Sequence, residues 1–250
     1  MNSIFINWKH YLNEREEIYF GNKVLEFKKA FELELESNGL QAAIKVPKKY
    51  FTEIGSGETR AVYDIDDDWV LKVVNDSSWL EANEAESNLQ MLTKYSDIFP
   101  KIGMTEKNKL WIIVEKVIPV QDFDELIPYV ENLDLLITKT KENHATFSSD
   151  VIHKLISRVF MYTLEHNLDL LKGDDLESLT SKKIYKRVLN YAVGEKQIDY
   201  FLNNLKLKTP FPRIMEASLE YDIAIWDIGP KNLGWRNNNQ LVILDASIGL

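Results

Sequence analysis

The sequence predicts an α+β fold with two lobes, an antiparallel sheet with one inserted helix followed by a mostly helical half. Three observations carry this expectation. Residues 50–74 and 101–117 hold short apolar runs separated by turn residues, the pattern of strands. Between them lies a stretch of helical period opened by short polar residues. Beyond Pro119 the strand signals largely vanish until about Glu220, and short apolar runs return only in the last thirty residues. A chain of 250 residues can bury a core in one large domain or two small lobes. The boundary is placed near Ile118, giving an amino-terminal lobe of residues 1–118 and a carboxy-terminal lobe of residues 119–250.

The elements follow in order. Residues 26–38 carry Phe27, Ala30, Phe31 and Leu35 at helical spacing, with charges between them and Gly39 at the end, so an amphipathic helix covering a sheet is expected. Three strands follow, broken at Gly55 to Gly57 and at the acidic turn 64–68. Ser77 and Ser78 are candidate caps for a helix running to about Tyr95, with Trp79, Ala82 and Leu89 on the side that should face the sheet. Residues 101–107 and 109–117 read as a hairpin around Lys107 and Asn108. In the second lobe, helices are expected from 148–150 through 166, over 179–192 and over 195–205. The first should bury Ile152, Leu155, Ile156, Val159, Phe160 and Leu164. Helices from about Val151 to Glu220 are expected to pack beneath Asp227 to Asp245 and to form the whole second lobe.

Composition excludes several classes of function. There is no cysteine, so disulfides, thiolate nucleophiles and thiolate zinc sites are absent. The net charge of −9 argues against nucleic acid as a partner. The longest aliphatic or aromatic run, 110–114, falls far short of the roughly 20 residues of a membrane helix. The first residues mix charge with aromatics and show no secretory pattern, so a cytoplasmic protein without membrane contact is expected. The four histidines show no metal-ligand spacing.

The chemistry concentrates at a few positions. Gly55-Ser56-Gly57 puts two glycines in a turn between strands, where bare backbone can approach a phosphate; an ordinary hairpin would read the same way. Lys72 lies in an apolar strand, where an ammonium group must snorkel to solvent or meet an anion. The following helix offers Glu81, Glu84 and Glu86, of which Glu86 shares the sheet-facing side and Glu84 is the fallback. Asp227 and Asn232 stand five positions apart in W-D-I-G-P-K-N, and Asp245 follows the apolar run 241–244. Each of these alone reads as an ordinary turn. In order, they supply every recurrent polar component of a kinase active site.

In G-S-G-E-T-R-A-V-Y, W-V-L-K-V and W-D-I-G-P-K-N-L-G-W-R-N-N-N-Q-L-V-I-L-D the chain resembles the protein-kinase-like fold, and more closely the short kinase-like proteins encoded by tailed bacteriophages and bacteria. The resemblance covers about 50–117 and 222–250. It implies a bilobal architecture that binds ATP and Mg2+. Gly55, Ser56 and Gly57 would cover the phosphates, Val62 would roof the adenine, and Lys72, held by Glu86, would grip the α- and β-phosphates. The backbone of Glu115 to Val117 would form the hinge that hydrogen-bonds the base. Asp227 would orient or deprotonate the attacking hydroxyl, Lys231 would stand in for the usual catalytic-loop lysine, and Asn232 and Asp245 would hold the metal.

The departures are informative. Arg60 replaces the third glycine of the loop, Trp226 precedes the catalytic aspartate, and Asp245-Ala246-Ser247 stands where D-F-G is usual. Five residues follow Asp245, leaving no activation loop and no peptide-docking helices in this chain, so acceptor specificity is expected on the second-lobe helices and at Trp235 and Arg236. The expected function is phosphoryl transfer from ATP, with Ser or Thr of a protein as acceptor. A kinase-like binding module acting through a protein partner, a small-molecule kinase and a nucleotidyl transferase are the alternatives.

Overall fold

The computed structural model describes residues 3–91, 93–172, 180–221, 232–236 and 240–244. It is an α+β structure, with a five-stranded antiparallel sheet and a mostly helical portion. The chain divides into two compact units: Met1–Ser87 with Lys101–Lys116, and Asn88–Pro100 with Val117–Leu250. Among the described residues no helix is long and apolar enough to cross a membrane.

In the first unit, α1 spans Ser3–Asn38 and is interrupted at Gly21, whose φ of 67° no helix accommodates. The helix expected over 26–38 is therefore only the second arm of a longer element. A short α2 (Leu40–Ala43) leads to β1 (Thr52–Ser56), β2 (Arg60–Asp64), β3 (Trp69–Val74), β4 (Ile102–Thr105) and β5 (Trp111–Glu115). The strand order is β1-β2-β3-β5-β4, all antiparallel, with α3 (Leu80–Met91) inserted after β3.

Strand alternation gives the sheet two faces. One carries Ala61, Tyr63, Leu71, Val73, Trp111 and Ile113, which pack with Phe27 and Phe31 of α1. Phe27 meets Trp111 edge-on at 5.5 Å between ring centres. The other face carries Val62, Val70, Ile112 and Val114, a smaller apolar cluster. Gly103 in β4 lies under the rings of Phe20 and Trp69, and a Cβ there would come within 2.8 Å of Trp69. Both rings are packed, so Gly103→Ala should lower stability by about 1–3 kcal/mol, read as a shift of the urea unfolding midpoint.

Two local expectations for α3 change. Its lead-in turn Ser77–Trp79 is capped by Asp76, whose carboxylate accepts from the Ser78 amide at 2.9 Å, so neither serine is the cap. Asp is as good a cap as Ser, and it stands one position earlier. Trp79 is 36% exposed instead of facing the sheet, because that lead-in is a 3-10 turn whose side chains do not continue the rows of α3.

The second unit contains α4 (Leu133–Asn143), α5 (Ser149–Lys172), α6 (Thr180–Val193), α7 (Ile198–Asn204) and α8 (Phe211–Tyr221). The six α5 residues expected inside are all buried, in one core with Leu189, Phe201, Phe211 and Ile214. The helices after 151 do not form this unit alone. The 3-10 segment Phe123–Tyr129 and α4 contribute Phe123, Leu126, Leu133 and Leu136, and the chain before the sheet's last hairpin contributes Tyr95, Ile98 and Phe99. A small sheet of β6 (Ile118–Pro119), β7 (Leu233–Trp235) and β8 (Leu241–Ile243) rests on this core through Leu233, Leu241 and Ile243.

Candidate functional site

The first unit supplies a polar cluster built on the smaller face of its sheet. Register aligns Gly55 with Val62, Val62 with Lys72, and Lys72 with Ile112, so these four residues form one row across β1, β2, β3 and β5. Lys72 is 8% exposed and Glu86 4% exposed. The Lys72 ammonium donates to both Glu86 carboxylate oxygens, at 2.7 and 2.9 Å. Of the two glutamates in question, Glu86 is the partner, and Glu84 stays exposed.

Arg60 and Asn83 also belong to this cluster, and sequence reasoning assigns a site role to neither. Arg60 is buried, and its guanidinium donates to Glu86 at 2.5 Å and to Asn83 Oδ1 at 3.2 Å. Asn83 in turn donates through Nδ2 to the Lys109 carbonyl at 2.8 Å, tying α3 to the turn before β5. The signals are present in the sequence: Arg60 is two positions before Val62 and so shares its face, and Asn83 is one turn before Glu86. Burial opposes the charged form of Glu86, but Lys72 and Arg60, through charge and hydrogen bonds, hold its pKa below the ordinary value. One carboxylate thus fixes an ammonium and a guanidinium.

The glycine turn is open and anchored. Gly57 donates its amide to the Arg60 carbonyl at 2.9 Å, and Asn75 Nδ2 donates to the carbonyls of Gly57 and Glu58 at 2.9 and 3.1 Å. Neither Gly55 nor Gly57 has a positive φ, and a Cβ on either would meet nothing closer than 3.8 Å. Internal packing does not require glycine at these positions. Ser56 pairs with Ala61, so its side chain belongs to the face opposite Lys72, and only its backbone can serve the Lys72 side. Val62 remains partly exposed.

Two of the three amides of the expected hinge are already committed. Glu115 donates to the Lys101 carbonyl at 2.7 Å and Lys116 to the Asp68 carbonyl at 2.7 Å. Lys116 Nζ pairs with Asp64 at 2.7 Å. The Val117 amide makes no hydrogen bond among the described residues. The first unit ends between Lys116 and Val117.

In the second unit, Asn232 is 9% exposed and immediately precedes β7. Leu244, at the end of β8, donates its amide to the Asn232 carbonyl at 2.7 Å. The β7–β8 pairing therefore brings Asn232 beside the chain neighbour of Asp245. Asp227, Lys231 and Asp245 themselves lie outside the described residues.

Trp235 and Arg236, the expected specificity positions beside the loop, both take part in bonds within the fold. Trp235 Nε1 donates to Glu125 at 2.6 Å. The Arg236 guanidinium donates to the Ser96 carbonyl at 3.2 Å and to the Phe99 carbonyl, anchoring the hairpin to the core segment before it. No protein-family model matches the chain, and no curated protein sequence matches it.

Proposed function

We propose that the chain is an ATP- and magnesium-dependent phosphotransferase of bilobal, protein-kinase-like architecture, with Ser or Thr of a protein as the acceptor. The observation that carries this reading is the Lys72–Glu86 pair in one row with Val62 and Gly55. A lysine buried at such a cost is held in a single position by a carboxylate on an inserted helix, which suits an ammonium that must meet a triphosphate. Val62, partly exposed in the same row, offers an apolar surface to a base. The bare backbone at Gly55, which packing does not demand, leaves room for phosphate above the row.

Arg60 adds rigidity that a third glycine would not provide, by holding Glu86 from the other side. With the Glu115 and Lys116 amides committed, contact with the base falls to the Val117 amide and to backbone carbonyls. Asn232 and Asp245 would supply hard oxygen ligands for magnesium. Asp227 would take the proton of the acceptor hydroxyl as its oxygen bonds to the γ-phosphorus and ADP leaves.

Millimolar Mg-ATP should raise the melting temperature, because a ligand binding only the folded state stabilises it by RT ln(1 + [L]/Kd). Lys72→Ala should reduce that shift. An unchanged melting curve, with titration calorimetry also silent, would remove nucleotide binding from the account.

A further inference from the structure

We propose that the second unit carries a separate binding site for a small organic dianion, in the cavity bounded by α5, α6, α7 and residues 205–207. The cavity measures about 600 Å³, within the range of small-ligand pockets. Lys182 and Lys186 line it from α6 and Lys206 from the segment after α7, while Asp199 is the one carboxylate among the lining residues described. Among the described lining residues, three cations stand against one anion.

None of the three lysines makes an ion pair or side-chain hydrogen bond with another described residue. Lys182 and Lys186 are also one turn apart on the same helix, a like-charge spacing that slightly disfavours the helix.

His166 of α5 gives an independent sign of a ligand. It lines the same cavity with its ring 5.5 Å from that of Tyr185, and its Nδ1 is buried with no hydrogen-bond partner. Burial, and then the nearby Lys182, hold its pKa below the ordinary value, so the ring is neutral at pH 7 and adds no charge of its own. Leu202, Leu205 and Leu207 supply an apolar wall, which suits a ligand with a carbon body over a bare inorganic ion. Lysines act as point charges and impose no bidentate geometry, so compact phosphomonoesters and polycarboxylates share the required chemistry. Helices α5, α6 and α7 and the segment after α7 hold these groups, and none of the described lining residues belongs to the nucleotide row.

The test uses the full chain without ATP or magnesium. Citrate and glycerol 2-phosphate are titrated separately at constant ionic strength, with KCl as control. The four histidines make imidazole C–H NMR signals tractable, and His166→Gln identifies the signal of interest. One or both probes should shift the His166 signal saturably, and calorimetry should give a matching Kd. The probe that binds tells the phosphate source from the carboxylate source. Lys182→Gln/Lys186→Gln should weaken binding at least tenfold with an unchanged melting temperature, and Lys186→Gln/Lys206→Gln serves if the first variant unfolds. A His166 shift no larger than in KCl, or equal affinity in the folded lysine variants, would overturn the site.

Discussion

Glu86→Ala should destabilise the first unit by about 3–5 kcal/mol, since removing one member of a buried ion pair strands its partners. Here the stranded groups are Lys72 and Arg60, whose side chains are 10% and 5% exposed. Glu86→Gln keeps the shape and some hydrogen bonding but loses the charge, so it should fall between wild type and alanine in urea unfolding. The same residue sets an acid response. Its folded pKa lies below 4.5, the ordinary value, so its contribution is complete above that value and is lost as pH falls through the depressed folded value. The difference in unfolding midpoint between wild type and Glu86→Gln should therefore narrow on acidification from pH 7 to pH 3. A difference that is constant across that range, or an alanine variant as stable as wild type, would show that Glu86 does not hold the cluster as a carboxylate.

Asp227→Asn should lower turnover by about a hundredfold or more while leaving Mg-ATP affinity within about twofold of wild type, because a group that positions or deprotonates the acceptor acts on rate and not on nucleotide binding. Lys72→Ala should weaken both, since its proposed contact is with the phosphates. The two variants together separate acceptor chemistry from nucleotide grip. Full activity of Asp227→Asn on the true acceptor would transfer the role to Asp222 or to a base supplied by the substrate.

Much of the first unit is legible in the sequence because its strands are short, apolar and punctuated by Gly55, Gly57 and the 64–68 turn. The register that those turns impose puts Lys72 and Val62 in one row, and helical spacing on α3 picks Glu86 over Glu84. Arg60 is harder to read. Its position invites comparison with a missing glycine, whereas its function in the fold depends on a carboxylate 26 positions away. Local pattern cannot show such a contact. The capping by Asp76 escapes the sequence pattern because adjacent Asp and Ser are equally good caps. In the second unit the buried face of α5 follows directly from its 3.6-residue period. Trp235 and Arg236 also anchor their hairpin through bonds to Glu125, Ser96 and Phe99, contacts between distant positions that local pattern does not show.

The most direct measurement is incubation of the full chain with magnesium and either γ-labelled or α-labelled ATP in the presence of a bacterial lysate, followed by analysis of labelled products. Phosphoryl transfer predicts label on protein Ser or Thr from γ-labelled ATP only, abolished by Asp227→Asn and by Lys72→Ala. Label retained from α-labelled ATP would show nucleotidyl transfer, and no label from either nucleotide would contradict a phosphotransferase.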